Sequence, residues 1–237
     1  MTYDLDENIM SWDGRWNHPS TCILAGPTGS GKSTMASRIV SNRAILFKNP
    51  PKNAFIIYAN RQPIWDHLLK TGLVTKIFNE LPSFENLKKL LYPYKDSSGC
   101  LLVLDDCLGD LSKVVLRIFT ELSHHLKVTC LLLSQNLFYQ DKIYRSLSLN
   151  CQILIVFKSP RDMTQIATLS RQMHPTTPNF LIQSFIDATK NGYGYMVINY
   201  HQQTPDILRL TTNVLPSELP IIVYVNKKTK NESFNLV

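Results

Sequence analysis

The stretch Gly26 to Ser33 restricts what this chain can fold into more than any other. It reads GPTGSGKS and fits G-x-x-x-x-G-K-[ST] in full. It follows the apolar run Thr21-Cys22-Ile23-Leu24-Ala25 and precedes a helical run from Thr34 to Asn42. An apolar strand that turns on glycines into a helix points the N–H groups of the turn inward, around a phosphate-sized hollow. Gly26, Gly29 and Gly31 permit that curl because no Cβ blocks it. Pro27, Thr28 and Ser30 complete the loop, and Thr34 continues into a helix whose positive end faces the anion. Lys32 is placed to reach the β- and γ-phosphates and Ser33 to ligate Mg²⁺, so the loop alone predicts a nucleotide phosphate held with Mg²⁺.

A second stretch supplies the acids. Cys100-Leu101-Leu102-Val103-Leu104-Asp105-Asp106 reads as a buried strand that ends in two carboxylates. Asp105 is assigned to Mg²⁺, opposite Ser33, and Asp106 to the attacking water, which it orients or deprotonates. The plainer alternative is that one of the two caps the next helix or pairs with a basic residue. Gln135 closes the apolar run Val128 to Leu133, where its amide can reach a γ-phosphate or a water. Gln135 and Asn136 could equally satisfy a turn. The run Phe55 to Ala59 is expected to be the extra strand between the P-loop strand and the acidic strand.

Strands alternate with helices along most of the chain, so the crossovers should be right-handed and the ligand should sit at the carboxyl ends of the strands. The expected fold is α/β: a P-loop NTPase of the RecA-like (ASCE) kind, with a mostly parallel central sheet flanked by helices and a C-terminal β-hairpin. Predicted helices open at Pro63, after Ser83, at Asp110 and at Tyr144. Ser159-Pro160-Arg161-Asp162 predicts another start, with Ser at the N-cap, Pro at the first position and an acid at the third. Thr177-Pro178 predicts one more, with Phe180, Phe185 and Ile186 facing the core. Gly194 to Tyr200 and Ile207 to Thr212 predict the hairpin, turning around Gln203-Thr204-Pro205-Asp206.

The 237 residues suit one nucleotide-binding domain, 21–225, preceded by an arm, 1–20, and followed by a basic tail, 226–237, that is expected to be mobile. Trp12 and Trp16 would pack the arm on the domain; a contact from Trp16 to a nucleotide base is the alternative. Hydrophobic residues at 44% and charged residues at 18% argue against extensive disorder. The net charge of +7 suggests a polyanionic partner, although nucleotide binding and solubility also use positive charge. The five cysteines show no C-x-x-C spacing, which favours reduced thiols in an intracellular chain. No secretory signal and no apolar run of the ~20 residues a bilayer needs is visible, so no membrane partner is expected. His124-His125 has no companion cluster with ligand spacing and reads as a solvated helix end.

GPTGSGKST, LLVLDD, LLLSQN, FKSPRDMTQIATLSRQMHP, GYGYMVI and the TTNVLP segment together resemble the genome-packaging ATPases of the FtsK-HerA superfamily. The likeness is closest to those of Maverick/Polinton-type elements and related DNA viruses, with the poxvirus enzymes more distant. It runs from about Trp16 to Pro216 and is most specific from FKSPRD to RQMHP. The resemblance implies ATP hydrolysis that threads double-stranded DNA into a capsid, by a homo-oligomeric ring of about five or six subunits docked on a capsid or portal protein inside the host cell. It also implies an arginine supplied in trans to the neighbour's γ-phosphate, for which Arg161 and Arg171 are the candidates. Two features depart from many superfamily relatives: the second acid is Asp106 where cellular members often carry Glu, and no DNA-translocation or membrane domain is appended. Two other functions share the loop, a nucleoside or nucleotide kinase and a non-hydrolysing nucleotide-gated scaffold. The paired acids with Gln135 favour water as acceptor over the kinase, and hydrolysis that is lost in Lys32→Ala and Asp106→Asn would eliminate the scaffold.

Overall fold

The computed structural model describes residues 12–107, 112–138 and 142–226. Its centre is a nine-stranded sheet in the order β3-β2-β4-β5-β1-β6-β7-β8-β9. The parallel part comprises β1 (Thr21–Ala25), β2 (Asn53–Tyr58), β3 (Lys76–Phe78), β4 (Cys100–Asp105), β5 (Val128–Ser134) and β6 (Ile153–Phe157). Three antiparallel strands extend it: β7 (Tyr195–Asn199), β8 (Leu210–Thr212) and β9 (Ile222–Val223). The expected hairpin is β7–β8, and it continues the main sheet beside β6. The chain between its strands turns at His201–Thr204 and through a short 3-10 segment, Asp206–Leu208.

Both faces of the parallel part are covered, which explains its near-continuous apolar runs. Alternation divides them. Cys22, Leu24, Leu101 and Val103 face a core shared with Met35, Ile39 and Val40 of α1 (Lys32–Ser41), with α2 (Arg43–Leu46), and with Trp65 and Leu68 of α3 (Pro63–Lys70). Ile23, Leu102, Leu104 and Leu132 face the other side. They meet Leu87 and Leu91 of α4 (Phe84–Leu91), and Val115, Ile118 and Phe119 of the helix that begins as α5 (Ser112–Arg117) and runs on through a π-helical turn, Ile118–Leu122. That core also takes Leu147 of α6 (Lys142–Leu149), Ile166 and Leu169 of α7 (Thr164–Met173), and Leu181 and Phe185 of α8 (Pro178–Ala188). All five cysteines are buried as free thiols. Among the described residues no helix is long and apolar enough to cross a membrane.

Several expectations need correction. The strand between the P-loop strand β1 and the acidic strand β4 is β5, whereas β2, which contains Phe55, lies on the far side of β4. β5 is buried along its whole length and β2 is half-exposed at both ends, so the more apolar run takes the central place. Ser159 is not an N-cap. Residues 159–162 form a turn, and α7 begins later, where Asp162 accepts hydrogen bonds from the Thr164 N–H at 3.0 Å and from Gln165 Nε2 at 2.6 Å. The acid thus caps from before the helix, and proline stays in the turn, where its fixed φ is tolerated. Ile186 is exposed and Phe180 only partly buried, and the buried core residues of that helix are Leu181 and Phe185. By contrast, the Ser83 hydroxyl accepts from the Asn86 N–H, as its sequence position predicts for a cap.

Within the described part of the arm Trp16 is buried in the core, Trp12 is only partly buried, and Asp13 and Arg15 are exposed. Trp16 is 4% exposed, packs edge-on against Phe47, and exchanges backbone hydrogen bonds with Leu46 and Lys48. That placement keeps it out of the P-loop cavity, so the alternative base contact for Trp16 is excluded. The tail residues 227–237, together with Asp110 and Leu111 of the expected helix start, lie outside the described residues.

Candidate active site

The loop between β1 and α1 has the geometry its glycines predict. Gly29 and Gly31 have φ of 79° and 100°, a region that side chains disfavour. A Cβ on Gly26 would lie 2.7 Å from Phe157 Cβ, so Gly26 lets the loop pass close to the end of β6. The Gly26 N–H donates to Ser134 O at 3.1 Å, which ties the loop to the end of β5. Within the loop the Ser30 hydroxyl is buried and has no hydrogen-bond partner, a polar group left available to an incoming acceptor. Lys32 folds back, and its Nζ donates to Gly26 O at 2.7 Å and Pro27 O at 2.9 Å. Burial lowers the Lys32 pKa, while the charges of Asp105 and Asp106 oppose that shift.

The two acids differ sharply. Asp105 closes β4, is 5% exposed, and its Oδ2 accepts from Gln62 Nε2 at 2.8 Å and from Trp65 Nε1 at 2.9 Å. Burial pushes its carboxyl above the ordinary range and the Asp106 charge adds to this. Hydrogen bonds from Trp65 and Ser33 and the Lys32 charge pull the other way. Ser33 and Asp105 line the same cavity, so a hydroxyl and a carboxylate oxygen are both at hand for a cation between them. Asp106 is exposed and left-handed, with φ of 57°. Its Oδ2 accepts from Asn60 Nδ2 at 3.1 Å, and its Oδ1 lies 3.5 Å from Gln135 Nε2. An acid in that backbone conformation stores a modest strain of about 1–3 kcal/mol, a cost found mostly at functional sites.

One cavity of about 1030 Å³ joins these groups; Thr28, Gly29, Gly31, Lys32, Ser33 and Thr34 line it on the loop side, with Asp105, Asp106 and Gln135 opposite. The volume suits a nucleoside triphosphate. The loop, the unpartnered Ser30 hydroxyl and the Ser33–Asp105 pair fit Mg²⁺ and a polyphosphate. Arg161 and Arg171 do not line this cavity. Arg161 is exposed in the turn before α7, and Arg171 is exposed on α7, with Nη2 3.5 Å from Thr168 Oγ1. His124 and His125 are exposed at the end of their helix. A separate cavity of about 810 Å³ lies at the opposite ends of β1 and β6, beside Gln152, His174 and Tyr200, and none of the predicted site residues reaches it.

Sequence reasoning missed the partners of Asp105 and the far wall of the cavity. Gln62 and Trp65 were legible only as the opening of a helix. The far wall consists of Phe157, Tyr193, Tyr195, Arg38 and Glu218. There the Tyr195 hydroxyl donates to Glu218 Oε2, and Arg38 Nη1 donates to Glu218 Oε1 at 2.9 Å. Burial first, then the carboxylate, push the Tyr195 hydroxyl pKa upward.

No protein-family profile matches the chain, and no curated protein does. Among solved structures it is similar to a KaiC-like protein, PH0186, from Pyrococcus horikoshii OT3, at 18% identity and a TM-score of 0.41 over 59% of this chain and 72% of that one. The cytoplasmic domain of the type VII secretion ATPase EccC from Thermomonospora curvata is similar at 16% identity and a TM-score of 0.49, over 87% of this chain and 25% of that one. The DNA-packaging ATPase B204 from Sulfolobus Turreted Icosahedral Virus is similar at 13% identity and a TM-score of 0.50, over 88% of this chain and 98% of that one. With the loop, the strand order and this last overlap together, the fold is that of a P-loop NTPase built on a mostly parallel sheet.

Proposed function

We propose that the protein is an ATPase that hydrolyses Mg·ATP and uses the cycle to move double-stranded DNA into a capsid. The observation that carries the hydrolytic part is the convergence of Lys32, Ser33, Asp105, Asp106 and Gln135 on one cavity. Lys32 would exchange the carbonyls of Gly26 and Pro27 for phosphate oxygens, and the Ser30 hydroxyl would gain an acceptor. Ser33 and Asp105 would hold Mg²⁺, which supplies charge neutralisation on the β- and γ-phosphates. Asp106 would take the proton of the attacking water, with Asn60 and Gln135 fixing the carboxylate between them. No acceptor other than water is needed, which sets this reading apart from a kinase.

The DNA-moving part is supported by the resemblance to FtsK-HerA packaging enzymes, by the overlap with a viral DNA-packaging ATPase, and by the net charge of +7. On this reading residues 21–225 are the motor domain. The working form is a ring docked on a capsid or portal protein at intracellular assembly sites, and Arg161 or Arg171 of one subunit serves the γ-phosphate of the next. An arginine so placed is worth about 10³- to 10⁵-fold in rate. The test is phosphate release from ATP with and without duplex DNA across a salt series. Stimulation that declines steeply as salt rises is expected, because phosphate-backbone contacts release counterions. ATP hydrolysis indifferent to DNA at every salt would sink the motor and leave the ATPase; phosphate transferred to a nucleoside would replace both with a kinase.

A further inference from the structure

We propose that Tyr193 is the platform on which the base of the bound nucleotide stacks, a deeper reading of the nucleotide site proposed above. Strand order sets the direction of the ligand. The paired acids stand on β4 and Gln135 on β5, whereas the loop continues from β1, and β6 and β7 lie on the other side of it. A triphosphate whose γ end meets the acids therefore extends its base toward β6 and β7. Of the three aromatic residues on that wall, Phe157 and Tyr195 are buried, and the exposed one is Tyr193, in the turn between α8 and β7. A Cβ placed on Gly31 would lie 3.4 Å from its Cδ1 and 3.8 Å from Phe157 Cε1, so the ring stands over the end of the phosphate loop.

Tyr193 has no structural reason to be a tyrosine. It is 77% exposed, so its ring adds little to the core. It is also left-handed, with φ of 63°, a conformation that glycine or asparagine adopts at less cost. The turn itself is closed by the Gly194 N–H donating to Asn191 O at 3.1 Å, and Gly194 is required there because a Cβ would lie 2.6 Å from Ala188 O. An exposed aromatic ring held in a strained turn over the loop is accounted for by a flat ligand that covers it. Phe157 and Tyr195, with ring centroids 6.0 Å apart, support the wall behind it.

The test compares binding of Mg·ATP and of Mg·tripolyphosphate, which has no base, to the full chain carrying Tyr193→Ala or Tyr193→Phe. Tyr193→Ala should weaken ATP by about 5- to 150-fold, the contribution of one base on one ring, and change tripolyphosphate by less than about twofold. Tyr193→Phe should leave both as in the wild type. Equal losses for both ligands in Tyr193→Ala would show that Tyr193 braces the loop and would overturn the proposal, as would unchanged ATP affinity. Wild type that binds tripolyphosphate but gains nothing from the base refutes the platform and leaves the phosphate loop intact. Wild type that binds neither ligand refutes the loop reading and the platform with it.

Discussion

The two walls of the P-loop cavity are built on opposite principles. The acid wall, at the ends of β4 and β5, holds Asp105 under the Gln62 and Trp65 donors and leaves its neighbour Asp106 in solvent. The aromatic wall, made by β6, β7 and the segment around Glu218, presents rings and one ion pair. On the proposed function the first wall fixes charge where phosphate and water would meet, and a buried carboxylate there costs stability that packing elsewhere must offset. The second offers flat apolar surface and polar edges, which orient a ligand without dictating its chemistry. On this division, changes to the acid wall should move rate more than affinity, and changes to the aromatic wall affinity more than rate.

The sharpest attempt to break that division is Asp106→Asn. Asparagine tolerates the left-handed backbone, so the fold should persist. Hydrolysis should drop about 10²- to 10⁴-fold, the usual worth of a general base, with ATP affinity unchanged. Phosphate release and ATP titration on the same preparation would decide it, and a variant that still hydrolyses at the wild-type rate would remove Asp106 from the mechanism.

Asp105→Asn should separate stability from function. The folded-state pKa of Asp105 is raised by burial, so the native state binds its proton more tightly than the unfolded chain does. Above the raised value the ionised group destabilises the fold; as pH falls through that value toward the ordinary 3.8, the penalty disappears. Asparagine keeps an oxygen for Gln62 and Trp65 and can donate to the Ser33 hydroxyl. The apo variant should therefore melt higher than wild type at neutral pH, with the gain shrinking as pH is lowered, while its Mg²⁺-dependent hydrolysis is lost. A lower melting temperature at neutral pH would show that the carboxylate is stabilising where it stands.

Trp65→Phe probes the support of the same acid. It deletes the Nε1 donor to Asp105 and part of a fully buried ring, and should cost about 1–3 kcal/mol by denaturant unfolding. In an Asp105→Asn background the loss should be smaller, because a neutral amide asks less of its donors; equal losses in both backgrounds would assign the whole effect to packing.

The acid wall was also the legible one, for a physical reason. In a parallel sheet a group at the carboxyl edge can terminate its own apolar run, so GPTGSGKS, LLVLDD and LLLSQ each announce a candidate site residue locally. What local reading could not supply was sheet order. Phe55 to Ala59 precedes the acids in the chain and was expected to lie between them and the loop, but the place belongs to β5, because hydrogen-bonded neighbours are chosen by burial and crossover geometry and not by sequence order. The aromatic wall was illegible for a related reason. Arg38, Tyr195 and Glu218 are brought together by an antiparallel extension whose register no short motif encodes. The GYGY stretch did contain a signal, an aromatic residue flanked by glycines between a helix and a strand, but its meaning depends on which loop that turn faces.

The smallest expected effect tests the edge of the aromatic wall. The Arg38–Glu218 pair spans 2.9 Å, with side chains 46% and 23% exposed, so solvent screens much of its attraction. A double-mutant cycle of Arg38→Ala and Glu218→Gln should give a coupling of only about 0.2–1 kcal/mol in unfolding free energy, smaller still in high salt. Glutamine at 218 still accepts from the Tyr195 hydroxyl, so the wall should keep its shape. The rate of hydrolysis at saturating ATP should then match wild type. A large drop in that rate from Glu218→Gln would place reacting chemistry on the aromatic wall and erase the division between the two; a change in ATP affinity alone would confirm that this wall orients and the other one reacts.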